Sequence, residues 1–176
     1  MKEARGLVVL VVVVLGVSLG LSARAEKEDT ARAPQLDALK RLAGEWTGKV
    51  KHGEVEHDAT VSYKVTAGGS AVVETIAPGT QHEMVTIYHL DGDDLVLTHY
   101  CMLHNQPRMR TERGGPANKL AFKFAGGTNI KPETDPHMHD MTLEILGDDH
   151  IKASWTLYKE GKPVETATFD LRRKKQ

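Results

Sequence analysis

The sequence predicts an all-β chain: a single antiparallel up-and-down β-barrel of about nine or ten strands, with one short N-terminal capping helix. Three observations lead there. Turn signals recur at short intervals from His52 to Glu160. The segments between them are about 7 to 11 residues long, which suits strands and leaves no room for the helical crossovers of a parallel sheet. Within those segments apolar and polar residues alternate with a period of two, the mark of a sheet with one buried face. An immunoglobulin-like sandwich is the alternative, but its longer inter-sheet connections are not evident.

The chain opens with a segment of a different kind. Lys2 and Arg5 lead into the apolar run LVVLVVVVLGVSLGL, and Ala23-Arg24-Ala25 supplies the small-x-small pattern of a signal-peptidase site. Residues 1–25 are therefore read as a signal peptide cleaved after Ala25, giving a periplasmic or secreted protein. A run of about 15 apolar residues is short for a bilayer span, so no stable membrane anchor is expected after cleavage. No cysteine lies near the cleavage site for lipid attachment. Removing Lys2, Arg5, Arg24 and Glu3 from 23 basic and 24 acidic residues leaves 20 and 23, a charge near −3. That balance gives no footing for nucleic acid, and the RRKK run at Arg172–Lys175 has no aromatic residues interleaved to stack on bases. With one cysteine in the whole chain there is no internal disulfide, and stability rests on packing.

Residues 26–33 are polar and read as a disordered leader; the barrel domain spans 34–176. In PQLDALKRLAG, Leu36, Leu39 and Leu42 mark one face of a short helix ending at Gly44. Turns follow at His52-Gly53, Ala67-Gly68, Ala77-Pro78, Asp91-Gly92, Arg113-Gly114, Ala125-Gly126, Gly147-Asp148 and Glu160-Gly161. Leu120, Phe122 and Phe124 share one strand face; Met141, Leu143 and Ile145 share another; Ile151, Ala153, Trp155 and Leu157 a third.

The richest stretch is LTHYCMLHNQPRMR, Leu97 to Arg110. Hairpin parity about Asp91–Asp94 puts Tyr88 on the face of Leu95, Leu97, His99 and Cys101, which is assigned inward. His104, Asn105 and Arg108 follow at the next turn. In PHMHDMTLEIL, His139 alternates with Met141, Leu143 and Ile145, and His137 joins them if the strand reaches that far. His99 and this pair would then share one barrel mouth. The histidines could simply line a wet mouth or satisfy each other; beyond that, two uses of these residues remain open. In the first, Tyr88, His99, Cys101, His104, Asn105, Arg108, His137, His139 and Trp155 line or orient a small apolar or amphipathic ligand. In the second, His99, Cys101, His137 and His139 hold zinc or copper, since same-face neighbours on a strand are about 7 Å apart, and the protein is metal-binding or a metal-dependent enzyme. Catalysis without a metal has little support. A nucleophile needs an activated, accessible thiolate and an oxyanion hole, and neither a Gly-x-Ser-x-Gly elbow nor a carboxylate pair is present. The DGDD turn lacks the further ligands of a calcium loop.

The short helix, the Gly44-Glu45-Trp46 opening strand, the run of hairpins and the arginine pair in FDLRR resemble the calycin superfamily of lipocalins, fatty-acid-binding proteins and nitrobindin-like barrels. That resemblance implies that Trp46 plugs one barrel end and that Arg172 or Arg173 packs over it. HEMVTIYHLDGDDLVLTHYC, NQPRM and HMH further resemble a group of exported bacterial lipocalin-like proteins of no established activity. The nitrobindin-like likeness also implies heme on a histidine late in the chain. His150 is the late histidine here, but it stands in a GDDH turn poorly set to reach a cavity, so heme does not carry over.

Overall fold

The computed structural model describes residues 34–111 and 115–175. The predicted signal peptide and leader lie outside the described residues, as does part of the Arg113 turn. Helix α1, Pro34–Lys40, starts on a proline, whose missing N–H costs nothing in a first helical turn. It buries Leu36 and Leu39, with Leu42 from the turn that follows. Gly44, at φ +126°, then turns the chain into the first strand.

Ten strands follow: β1 Gly44–His52, β2 Val55–Thr66, β3 Ala71–Ile76, β4 Met84–Asp91, β5 Asp94–Tyr100, β6 Gln106–Thr111, β7 Lys119–Thr128, β8 His137–Gly147, β9 His150–Lys159 and β10 Lys162–Arg173. Each pairs antiparallel with the next, and β10 pairs with β1, so the sheet is a closed up-and-down barrel. Closure settles the fold against a sandwich and leaves no unpaired edge. Among the described residues no helix is long and apolar enough to cross a membrane.

The β1–β10 seam runs from Trp46 opposite Arg173 to His52 opposite Ala167. It depends on Gly48, where a Cβ would stand 2.1 Å from the Asp170 carbonyl oxygen. The seam's first rung also closes one barrel end. Trp46 is fully buried and donates its Nε1–H to the Leu42 carbonyl at 2.8 Å. The Arg173 guanidinium lies 4.4 Å over the indole and donates to the carbonyls of Arg41, Ala43 and Asp148. It thereby satisfies acceptors that the end of α1 leaves open. Arg173 fills the expected role, while Arg172 is exposed.

One local feature differs from the sequence reading. Ala125-Gly126-Gly127 is not a turn, because β7 runs through it to Thr128. Gly126 takes φ +106°, and a Cβ on Gly127 would lie 2.8 Å from the Gln106 carbonyl oxygen. These glycines serve a close strand approach beside the register shift between Pro107 and Met109. The β5–β6 connection, by contrast, contains neither glycine nor proline, and its reversal uses His104 at φ +61°.

Trp46→Ala is expected to lower unfolding free energy by about 3 to 5 kcal/mol, read from urea titrations. Gly48→Ala, one methyl added at a seam with no space, is expected to cost about 1 to 3 kcal/mol; a neutral result in the same titration would remove Gly48 from the closure.

Candidate functional site

In β3 the sequence AVVETI turns Val72, Glu74 and Ile76 to the same side, so a carboxylate occupies an apolar position and is 2 % exposed. Register supplies its partners. Tyr63 of β2 lies opposite Glu74, Glu74 opposite Thr86 of β4, and Thr86 opposite His99 of β5, a polar rung across four strands. Tyr63 donates its hydroxyl to Glu74 Oε1 at 2.9 Å, and Tyr88, one pleat along β4, donates to Oε2 at 2.7 Å. Thr86 stands at the position opposite the carboxylate on β4. Burial pushes the Glu74 carboxyl above its usual range, opposed by the bonds from Tyr88 and Tyr63. Burial, and after it the charge of Glu74, holds both tyrosine hydroxyls well above theirs.

The rung ends at a cavity. Thr86 Oγ1 lies 2.9 Å from His99 Nδ1, and the imidazole packs against the Trp155 indole with centroids 4.6 Å apart. Both rings line a cavity of about 610 Å³ at the barrel end opposite α1. Its walls are mainly apolar, including Val50, Ile76, Met84, Met138 and Phe169, and His52, His57 and His82 stand among its lining residues from the β1–β2 hairpin and the β3–β4 loop. Burial pulls the His99 imidazole down to about 4, so the ring is neutral at ordinary pH. With Nδ1 taken by Thr86, Nε2 is the nitrogen left to the cavity. Trp155 Nε1 is buried and has no hydrogen-bond partner among the described residues.

The inward face of β4 and β5 is as predicted: Tyr88, Leu95, Leu97 and His99 are all buried. Of the predicted ligand residues, His99 and Trp155 line the cavity. Tyr88 instead lies in the core on Glu74. Cys101 falls one residue beyond β5, half-buried; burial raises its thiol, opposed by the backbone N–H groups of Leu103 and Met102. His104 is exposed in the turn, and Arg108 is exposed on β6 opposite Thr98. Asn105 is buried and donates Nδ2–H to the Pro136 carbonyl at 2.8 Å, tying the β5–β6 and β7–β8 loops together.

The histidine pair of β8 goes elsewhere. A register shift between Met138 and Asp140 makes His139 the extra residue of a bulge, so parity counted back from Met141 fails there. Met138 is the residue of this segment that lines the cavity. His139 stacks on Tyr158 at 3.9 Å and on Phe124 at 5.2 Å. His137 packs on Phe124 at 4.6 Å and donates Nδ1–H to the Asp135 carbonyl at 2.8 Å. The expectation that His99, Cys101, His137 and His139 meet at one zinc or copper ion is therefore corrected. Among the described residues no group of three or more His, Cys, Asp or Glu side chains is placed to hold a metal. His150 opens β9 and hydrogen-bonds Asp170 at 2.8 Å.

The sequence reading passed over Glu74, Thr86 and Tyr63. The available signal was the lone carboxylate in the apolar register of AVVETI.

No protein-family model and no curated protein matches the chain. Solved structures do. A protein of unknown function from the DUF3598 family of Nostoc punctiforme PCC 73102 superposes with a TM-score of 0.50 at 12 % identity, over 77 % of this chain and 48 % of that one. Rv2717c of M. tuberculosis superposes with a TM-score of 0.56 at 20 % identity, over 81 % of this chain and 99 % of that one. This chain thus spans about half the length of the first and nearly all of the second. At such identities the likeness shows the fold alone, and the ten-strand closed barrel fits a calycin-like fold compatible with ligand binding.

The depressed His99 value fixes the sign of one pH effect. A folded value of about 4 against an ordinary 6.5 contributes stability that is present above pH 6.5 and is lost as pH falls through 4. Relative to His99→Gln, the native protein is expected to lose about 3 kcal/mol between pH 7 and pH 4. Parallel denaturation curves for the two proteins across that range would refute the assignment.

Proposed function

We propose that this chain is an exported carrier or receptor that holds one small, mainly apolar molecule inside the barrel, against His99 and Trp155. The observation that carries this reading is the cavity: about 610 Å³, with mainly apolar walls and His99 at the end of the polar rung. Small-molecule pockets are typically about 300 to 1,000 Å³ and combine apolar walls with a few placed polar groups. The opposite end is blocked by Trp46 and Arg173, so a ligand enters and leaves by the same mouth. Met84 and Met138 give the wall unbranched, adaptable side chains suited to an irregular guest. His99 takes the orienting role first assigned to a wider cluster with Tyr88 and Arg108.

Export is part of the proposal and rests on the apolar run and the Ala-Arg-Ala site of residues 1–25. It places the carrier in the periplasm or outside the cell, where apolar molecules need protein shelter from water.

Titration of the mature protein with the fluorescent probe N-phenyl-1-naphthylamine is expected to saturate at one site per chain. Trp155→Ala should weaken that uptake about tenfold, the equivalent of 1.4 kcal/mol of lost ring contact. Absence of saturable uptake would dispose of the cavity as a binding site. Independently, N-terminal sequencing of the protein from its native compartment should begin at Glu26, and an intact Met1 would count against export.

A further inference from the structure

We infer that the molecule held in the cavity is an amphiphile whose anionic head stays at the mouth among His52, His57 and His82, and that these three side chains tighten their hold as the solution turns acid. Its tail fills the barrel behind them. This deepens the reading above and rests on it.

Polarity is divided by depth. Met84, Met138, Trp155 and Phe169 wall the cavity, and its lining contains neither lysine nor arginine. The lining side chains able to carry charge are His52, His57, Asp58, His82 and His99. His99 is buried to 1 % exposure, whereas the other four are exposed. His52 ends β1, His57 stands near the start of β2, and His82 precedes β4, so three separate segments bring imidazoles to one pole. Trp46 seals the opposite pole, and a charged group drawn into the apolar depth would lose water without gaining a partner. A charged head therefore remains at the mouth, where the imidazoles are. A wholly apolar guest would make no use of them.

Charge sets the sign of the head. Histidine is the side chain that gains charge between pH 8 and pH 5. With its imidazoles neutral the lining carries one negative charge, on Asp58; with His52, His57 and His82 protonated it carries two net positive charges. The surrounding groups already have partners. Lys49 holds Asp58 at 2.8 Å, and Glu165 of β10 faces His52 at 3.1 Å. Gln81 meets His82 at 3.2 Å, and the Gly79 amide holds Glu83 at 2.6 Å. Glu56, beside His57, stands opposite Lys51 of β1. The β5–β6 turn and β8 add Met102 and Met138, which carry no charge. His52 thus shares its proton with Glu165, and His57 and His82 are left for an outside anion. Burial holds the His99 imidazole down at about 4, so the deep end stays neutral while the mouth charges.

The test is displacement of N-phenyl-1-naphthylamine from the mature protein at pH 7.5 and at pH 5.5, at low ionic strength. The competitors share one chain length: decane-1-sulfonate, decan-1-ol and decyltrimethylammonium. The sulfonate keeps its charge at both pH values, so a change in its affinity belongs to the protein. Acidification is expected to tighten the sulfonate about tenfold, to move the alcohol less than about twofold and to weaken the ammonium. In His57→Gln/His82→Gln, the sulfonate's gain, scored against the same variant's alcohol affinity, should shrink to about threefold or less. A sulfonate gain no larger than the alcohol's, an ammonium that gains alongside it, or a full gain in the double variant overturns the inference. If the naphthylamine enters and the sulfonate gains nothing in acid, only the anionic head falls. If neither the naphthylamine nor any decyl compound enters, the carrier reading falls with it.

Discussion

A carboxylate inside a barrel has no water to solvate it, so the protein must supply the donors. Glu74 receives the hydroxyls of Tyr63 and Tyr88, contributed by the strands on either side of its own. Left unpaired, such a group would cost several kcal/mol. That constraint reaches past the carboxylate. A one-residue slip of β3 against β2 or β4 would turn Glu74 out of the core and strand two tyrosine hydroxyls inside it. The polar rung thus specifies the pairing of four strands more sharply than valines and leucines alone, which tolerate exchange among themselves. It also sets Thr86 opposite His99, whose Nδ1 lies 2.9 Å from the threonine hydroxyl.

The two barrel ends solve different problems with similar means. At the α1 end an indole and a guanidinium fill the opening and satisfy carbonyls of the turn after the helix. At the other end the side chains stop short, and Trp155 and His99 sit at the boundary between filled core and open cavity. Trp155 belongs to both, since it packs in the core cluster and lines the cavity.

Much of the architecture was legible in the sequence because it is carried by local pattern. Period-two alternation exposed the strands, three leucines exposed the helix, and hairpin parity across Asp91–Asp94 turned His99 inward. What escaped depends on a neighbour. The bulge at His139 is a mismatch between β8 and β9, and nothing in HMHDM marks it, yet it separates two histidines from the cavity. Gly126 and Gly127 look like a turn when read alone; only the approach of Gln106 shows that they are a site where a side chain would not fit. Glu74 was visible as an anomaly in AVVETI, but its meaning lies in the tyrosines that register sets beside it. The predicted histidine cluster was split by one residue of backbone, which alternation within a single strand cannot detect.

The β1–β10 seam settles how this barrel can be held. With an even number of antiparallel strands, the start of β1 and the end of β10 emerge at the same pole, where Trp46 faces Arg173. The other pole is framed wholly by the hairpin loops between β1 and β2, β3 and β4, β5 and β6, β7 and β8, and β9 and β10. Anything joined to the chain after Arg173, whether a surface, a fusion partner or a second domain, therefore grips the sealed pole and leaves the mouth turned outward. Those five loops can also lengthen, shorten or change composition without disturbing Gly48 or the closure it permits. The loops that frame the mouth and the seam that closes the barrel are therefore separate parts of the chain.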